Sequence, residues 1–278
     1  MHKFHLNCRG KILDLTSRTH IMGIINCTPD SFYSASRNYE SKSAIGLGIQ
    51  MVREGADILD IGGESTRPGS ESVSAEEELR RITPVIEGLL DEVDVPLSID
   101  TYKSIVAERA FELGVHILND ISALNFDPEL GGLAARFDVP VILMHIKGRP
   151  KEMQKNPTYF DVINEIYEYF ENRIRYALDQ GIKREMIILD PGIGFGKRVK
   201  DNYEIIKRLK EFTALGCPIL VGPSRKSFIG KVLNLPSEET LEGTLAAGTA
   251  AILKGAHILR VHDVKEMIRS AKIADCLI

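Results

Sequence analysis

The sequence predicts a single (β/α)8 TIM barrel preceded by a short N-terminal β-hairpin, within 278 residues. Two observations carry that expectation. Eight short apolar runs recur, each followed by a polar loop and an amphipathic stretch, and no linker or low-complexity segment interrupts them. The runs are IMGII (21–25), DILDIG (57–62), PLSID (96–100), VHILND (115–120), PVILMH (140–145), MIILDPG (186–192), PILVG (218–222) and HILRV (257–261). They are apolar almost throughout rather than alternating, as parallel strands covered on both faces are. Eight strand–helix units in about 250 residues fit one barrel. A doubly wound open sheet is the alternative, but it would not use eight successive units with polar groups spread over all of them.

At the start, MHKFHLNCRGKILDL reads as two alternating strands turned at CRGK, a hairpin over residues 1–16 that would close the bottom of the barrel. Helical periodicity marks the segments between the strands. Leu79, Ile82, Ile86, Leu89 and Val93 recur at helical spacing, as do Ile163, Ile166, Phe170, Ile174 and Ala177. Ser74 followed by Glu77 predicts a capping box, and Asp263 before VKEMIRS an N-cap. Gly114, Gly181, Gly216 and Gly255 fall where helices should stop. The whole of 1–278 is expected to form one domain.

Composition narrows the function classes. With 44% hydrophobic and 27% charged residues the chain is globular, and a net charge of −4 does not suggest a nucleic-acid or acidic-membrane surface. No apolar stretch approaches the roughly 20 residues that span a bilayer, and the N-terminus lacks the apolar centre of a signal peptide. Cys8, Cys27, Cys217 and Cys276 show no CxxC or Cys/His ligand spacing, so a reduced, cytoplasmic chain is expected.

What the strands end in is the informative feature. Barrel chemistry lies at the C-terminal ends of strands. Here those ends carry Asn26, Glu64-Ser65-Thr66-Arg67, Asp100, Asn119-Asp120, His145, Asp190, Ser224-Arg225-Lys226-Ser227, and Arg260, His262 and Asp263. Asp100, Asn119 and Asp190 end otherwise apolar strands, where an unpaired acid or amide is costly. A bicyclic heterocycle with adjacent ring N–H and exocyclic NH2 would satisfy them, because a carboxylate accepts both in parallel. The alternative is internal pairing with Lys226 or Arg260, or capping of the following helices.

Arg67, Lys226, Arg260 and His262 would together suit a diphosphate or another polyanion, and fixed positive charge would favour its departure. A solvated surface set is the alternative. DPGIGFGK (190–197) has neither the phosphate-loop nor the dinucleotide spacing. Its glycines are expected to let the backbone approach a flat ligand, with Phe195 as an aromatic face or as helix packing. A strand-end lysine such as Lys226 could also form a Schiff base, though the acids, amide and polyanion clamp exceed what that chemistry needs.

IINCTPDSF, GGESTRPG, SIDTYKS, LNDIS, LMHIKGRPKEMQ, ILDPGIGFGK, VGPSRKSFIG and GTLAA…HILRVHDV together resemble the dihydropteroate synthase family, in order, over about Ile21 to Val264. The resemblance implies a transferase of folate biosynthesis. In that family a dihydropterin carrying a 6-hydroxymethyl diphosphate loses pyrophosphate, and the amine of 4-aminobenzoate takes its place, giving dihydropteroate. Magnesium (Mg2+) accompanies the diphosphate, the C–O bond breaks before attack, and sulfonamides compete with 4-aminobenzoate. The family also implies a homodimer through outer helices near the C-terminus, where Leu241 to Leu253 supplies apolar surface.

By the same resemblance, Asp100, Asn119, Met144, Asp190 and Lys226 hold the pterin. Asn26, Thr66, Arg67, Arg260 and His262 hold the diphosphate, and Asn26 also contacts the metal. Phe32, Pro68, Phe195 and Ser227 lie near 4-aminobenzoate, and Lys226, Arg260, His262 and Asp100 carry the catalysis. The match departs at the first loop. Family members commonly continue as SFSDGG, whereas SFYSASRNY stands here, so Ser34 replaces the usual acid and Asp30 is the remaining candidate carboxylate. A methyltetrahydrofolate-type methyltransferase, which has no need of TRPG and SRKS as an anion clamp, and a non-catalytic pterin-binding protein are the alternatives.

Overall fold

The computed structural model describes residues 4–28, 37–67 and 69–278. The first half runs β1 (His5–Cys8), β2 (Lys11–Asp14), β3 (His20–Asn26), α1 (Arg37–Glu54), β4 (Ile58–Gly62), α2 (Ala75–Glu92), β5 (Leu97–Asp100), α3 (Ser104–Leu113), β6 (Ile117–Asp120) and α4 (Glu129–Phe137). The second half runs β7 (Val141–Met144), α5 (Val162–Asp179), β8 (Ile187–Asp190), α6 (Val199–Lys207), β9 (Leu220–Val221), α7 (Ser227–Leu233), α8 (Leu241–Leu253), β10 (Ile258–Val261) and α9 (Val264–Asp275). Each expected apolar run corresponds to one of β3–β10.

These eight strands form one parallel sheet in the order β8-β7-β6-β5-β4-β3-β10-β9. A parallel bridge between Leu189 of β8 and Ile219, just before β9, joins the two ends into a ring. That closure excludes the open doubly wound sheet. β9 is followed by two helices rather than one: Asn234 in the left-handed region (φ 56) and Pro236 end α7 before α8 begins.

Two apolar layers fix the ring. Outward-facing strand residues such as Leu59, Leu118, Leu143, Leu189 and Leu259 pack against Ile82, Leu89, Phe111, Phe170 and Phe212 of the surrounding helical shell. Inside, Met22, Ile58, Ile117, Ile142, Ile188, Leu220 and Ile258 form a plug with Leu6, Cys8 and Leu15 of the N-terminal segment. The hairpin therefore seals the bottom as the sequence implied. Its two-residue turn has positive φ at both Arg9 (52) and Gly10 (97), the handedness that a tight hairpin needs. Arg9 Nη1 donates to the carbonyls of Phe111 (2.8 Å) and Val115 (2.9 Å), tying the hairpin to the end of α3.

Two expected caps differ. Ser74 Oγ accepts the Glu77 N–H at 3.2 Å, but the carboxylate of Glu77 turns to Arg80 and Arg81, so the box is half formed. Asp263 precedes α9, yet its carboxylate binds Arg225 at 2.6 and 3.1 Å instead of capping the helix. All four cysteines are free, and no helix among the described residues is long and apolar enough to cross a membrane.

Candidate active site

Strand parity decides which side chains meet inside the ring. Counting by twos from the interior residues Met22, Ile58, Ile117, Ile142, Ile188 and Ile258 reaches Asn26, Asp60, Asn119, Met144, Asp190, Arg260 and His262. Asp60 pairs in register with Ser98, which brings Asp100 to the same side. Asp120 has the opposite parity. Its carboxylate holds its own turn, accepting the N–H groups of Ser122 (2.8 Å) and Leu124 (2.6 Å).

An ion cluster lies at the centre of the mouth. Arg260 Nε donates to Asp60 Oδ2 at 2.6 Å, and Arg260 Nη2 donates to Asp100 Oδ2 at 2.7 Å. Asn119 Nδ2 donates to the same Asp60 oxygen at 2.9 Å. Internal pairing of Asp100 with Arg260 is thus realised. Burial raises the Asp100 carboxyl to about 7 against the pull of Arg260, with Asp60 adding to the rise. The guanidinium itself is held above its ordinary value by Asp60 and Asp100, against the cost of burial.

Asp190 accepts the Gly192 N–H at 2.7 Å, and burial pushes its carboxyl up to about 6. Burial, then Arg260, brings the Lys226 ammonium down to about 8. Its Nζ stands 4.2 Å from the centroid of the Phe195 ring. Phe195 packs with Ile121, Met144, Ile146 and Met153 in a small apolar cluster edged by Tyr102 and Phe126. Phe195 therefore sits with Met144 and Lys226, and not as helix packing.

His262 corrects one expectation, because it is not a cation. Burial, then Arg260 and Arg225, pushes its ring down to about 3, so the neutral imidazole stands beside Ser224 Oγ, 3.0 Å from Nδ1. The glycine run corrects another. At Gly192 (φ 68) a Cβ would lie 2.0 Å from the His145 carbonyl oxygen, and at Gly196 (φ 63) 2.4 Å from that of Lys147. These glycines admit the neighbouring backbone, not a ligand. Beneath them Lys197, nearly fully buried, reaches His145 Nδ1 (2.9 Å), the His145 carbonyl (3.2 Å) and the Phe195 carbonyl (3.0 Å). Burial lowers this ammonium to about 7.

The second loop of the barrel mouth, between β4 and α2, is rooted by a separate network. Glu64 accepts from Tyr102 Oη and Lys103 Nζ, each at 2.6 Å, and Lys103 also reaches Glu78 at 2.5 Å. Thr66 beyond that root is half-buried and Arg67 exposed. Ser227, exposed, opens α7. Asn26 is half-buried at the end of β3, and its amide makes no hydrogen bond among the described residues. Phe32 and Pro68, like Asp30 and Ser34, lie outside the described residues. No group of three or more His, Cys, Asp or Glu among the described residues could hold a metal. A dication at Asn26 would thus draw most of its oxygen ligands from a bound diphosphate and water, the usual habit of magnesium.

Asp60 and Lys197 also belong to this site, and neither is expected from the motifs of the sequence. Asp60 was hidden inside the apolar run DILDIG, although an acid flanked by isoleucine and leucine is itself a signal.

Acids, an amide and a guanidinium converge over an apolar shelf in a closed parallel ring, and the family model described as pterin binding enzyme matches residues 22–262, so the barrel is of the pterin-binding enzyme class. The dihydropteroate synthase of Synechocystis sp. is 47% identical over 267 residues, covering 96% of this chain and 92% of its own. The chain belongs to the dihydropteroate synthase family. The Yersinia pestis dihydropteroate synthase, solved with a sulfonamide drug, superposes with a TM-score of 0.93 at 42% identity over 99% of both chains. The Xanthomonas albilineans dihydropteroate synthase, solved with 4-aminobenzoic acid, gives 0.92 at 40% identity over 99% of this chain and 98% of its own.

Proposed function

We propose that this chain joins 6-hydroxymethyl-7,8-dihydropterin diphosphate to 4-aminobenzoate, releasing pyrophosphate and 7,8-dihydropteroate. The observation that carries this reading is the Arg260–Asp100 pair standing in one mouth with Asp190 and Lys226. Acceptors for ring N–H groups and cations for leaving oxygens share one end of the barrel.

In this reading the pterin edge donates to Asp190, Asp100 and Asn119 complete the polar fit, and Met144 and Phe195 supply apolar surface. Lys226 donates to the ring. Arg260 and Arg67 bind the diphosphate, with Thr66 and the neutral His262 as further donors. When the C–O bond breaks, its electron pair goes to a pyrophosphate oxygen, where each preorganised donor is worth roughly 3 kcal/mol. Positive charge left on the pterin spreads over the ring, opposed by the carboxylates of Asp100 and Asp190. The aromatic amine, neutral at neutral pH, then attacks the methylene carbon and sheds one proton. No strong base is required, and much of the remaining gain is proximity.

Magnesium, bound with the diphosphate beside the Asn26 amide oxygen, would neutralise phosphate charge. Phe32, Pro68 and Ser227 would border 4-aminobenzoate and its sulfonamide competitors. We assign the whole chain to one pterin-binding unit acting in the cytoplasm, a setting that fits four free cysteines. A homodimer through the outer helices fits the exposure of Leu253 on α8 and Ile273 on α9; light scattering on the purified protein checks it.

The test of the reaction is direct. With magnesium, pyrophosphate should appear only when both substrates are present, and release that ignores 4-aminobenzoate would count against the synthase.

A further inference from the structure

We propose that Asp60 is a positioning residue of this site, setting the guanidinium of Arg260 and the amide of Asn119 for the ligands they meet. Asp60 is wholly buried on the inner face of β4, one step below the mouth. Its Oδ2 receives two donors from strands on opposite sides of β4: Asn119 Nδ2 from β6 at 2.9 Å and Arg260 Nε from β10 at 2.6 Å. Its Oδ1 has no hydrogen-bond partner among the described residues. Both contacts are informative because a carboxylate only accepts.

The consequence for Asn119 is orientation. Its NH2 must face Asp60, so the carbonyl oxygen and one remaining N–H are what it can offer a ligand. The consequence for Arg260 is a fixed plane. Nε is held by Asp60 and one Nη2 hydrogen by Asp100, so the guanidinium cannot rotate about its long axis, and its other donors keep a set direction. A cation whose donors are aimed in advance binds a diphosphate without first losing rotamer freedom. Asp60 acts through these two residues and is not proposed to touch substrate.

This inference rests on the reading of Arg260 as a diphosphate ligand, and the experiment separates the two. Inorganic pyrophosphate with magnesium is titrated calorimetrically into the wild type, Asp60→Asn, Arg260→Ala and the double variant, with melting curves recorded alongside. Asp60→Asn keeps the shape and one oxygen but removes the charge. It should bind pyrophosphate about tenfold more weakly while still melting cooperatively. On top of Arg260→Ala the same change should cost less than about twofold, because its effect passes through the missing side chain. Wild-type affinity in Asp60→Asn, or an undiminished tenfold loss in the Arg260→Ala background, overturns the proposal. Wild-type affinity in Arg260→Ala instead removes the diphosphate reading of Arg260, and this proposal with it.

A measurement that needs no folded Asp60→Asn guards the test. The Nε–H resonance of Arg260, identified by its loss in Arg260→Lys, should exchange slowly with solvent in the wild type. Exchange as fast as that of a free arginine side chain overturns the grip of Asp60.

Discussion

Ser224 Oγ accepts the backbone N–H of His262 at 3.2 Å and stands 3.0 Å from Nδ1 of the same residue. With the ring neutral, one ring nitrogen carries the proton, and the contact of Nδ1 with Ser224 Oγ bears on which one. The fourth of the expected cations is therefore an uncharged ring with one N–H to donate. Ser224→Ala should lower turnover about tenfold without loss of fold. Nitrogen NMR of labelled histidine should show the His262 ring moving from one tautomer toward a mixture, and an unchanged spectrum would separate Ser224 from the ring.

The pH profile of kcat/KM should be bell-shaped. Under the proposed function the carboxylate forms of Asp190, at about 6, and Asp100, at about 7, would accept the pterin donors, so the profile should fall as acid protonates them. Lys226, at about 8, should lose its charge on the alkaline side. Stability of the ligand-free protein runs the other way on the acid limb. A carboxyl with a raised folded value contributes stability that is full below its unfolded value near 4 and lost as pH rises through about 6 to 7. Asp190→Asn should weaken pterin binding at least tenfold and reduce both pH dependences; a variant with intact affinity sinks the assignment.

Lys103 bridges Glu64 and the nearly inaccessible Glu78 at the root of the second loop. Lys103→Met would leave two acids facing each other with no cation between them. The loss should be about 3 kcal/mol, the low end for a broken buried pair because the lysine is partly solvated. Urea denaturation reads it, and Glu78→Gln in the same chain should restore part of the loss.

Lys197 gives a prediction with a definite sign. Its folded value, about 7, lies far below that of an ordinary lysine, 10.5. A depressed value contributes stability above the unfolded value and loses it as pH falls toward 7. The melting temperature of Lys197→Met relative to wild type should therefore drop as pH climbs from 7 to 10. A difference independent of pH would mean that the wild-type lysine stays charged throughout.

Much of this was legible in the residues before the fold was seen. The strands are legible as short, continuously apolar runs, the helices from a 3.6-residue period, and the barrel from eight such pairs in succession. The partnerships are another matter. Arg260 and Asp60 stand 200 residues apart in the chain, and no local pattern says which acid a guanidinium will choose. Asp263 looked like a helix cap because a short acid before a helix ordinarily is one, yet Arg225 outcompetes the backbone N–H groups for it. His262 looked cationic because charge was assigned by residue type, whereas desolvation beside Arg260 decides it. The glycines of DPGIGFGK signal a close approach, but what Gly192 and Gly196 admit is the chain at His145 and Lys147, not a ligand.

The hairpin plug makes the barrel a vessel with one door. Leu6, Cys8 and Leu15 stopper the ring from beneath, so whatever reaches the layer of Asp190 and Asn119 must enter and leave past the loops above. A chamber so closed would fill from the floor upward and empty from the top down. A ligand seated at that depth would stay shut in for as long as anything occupied the space over it.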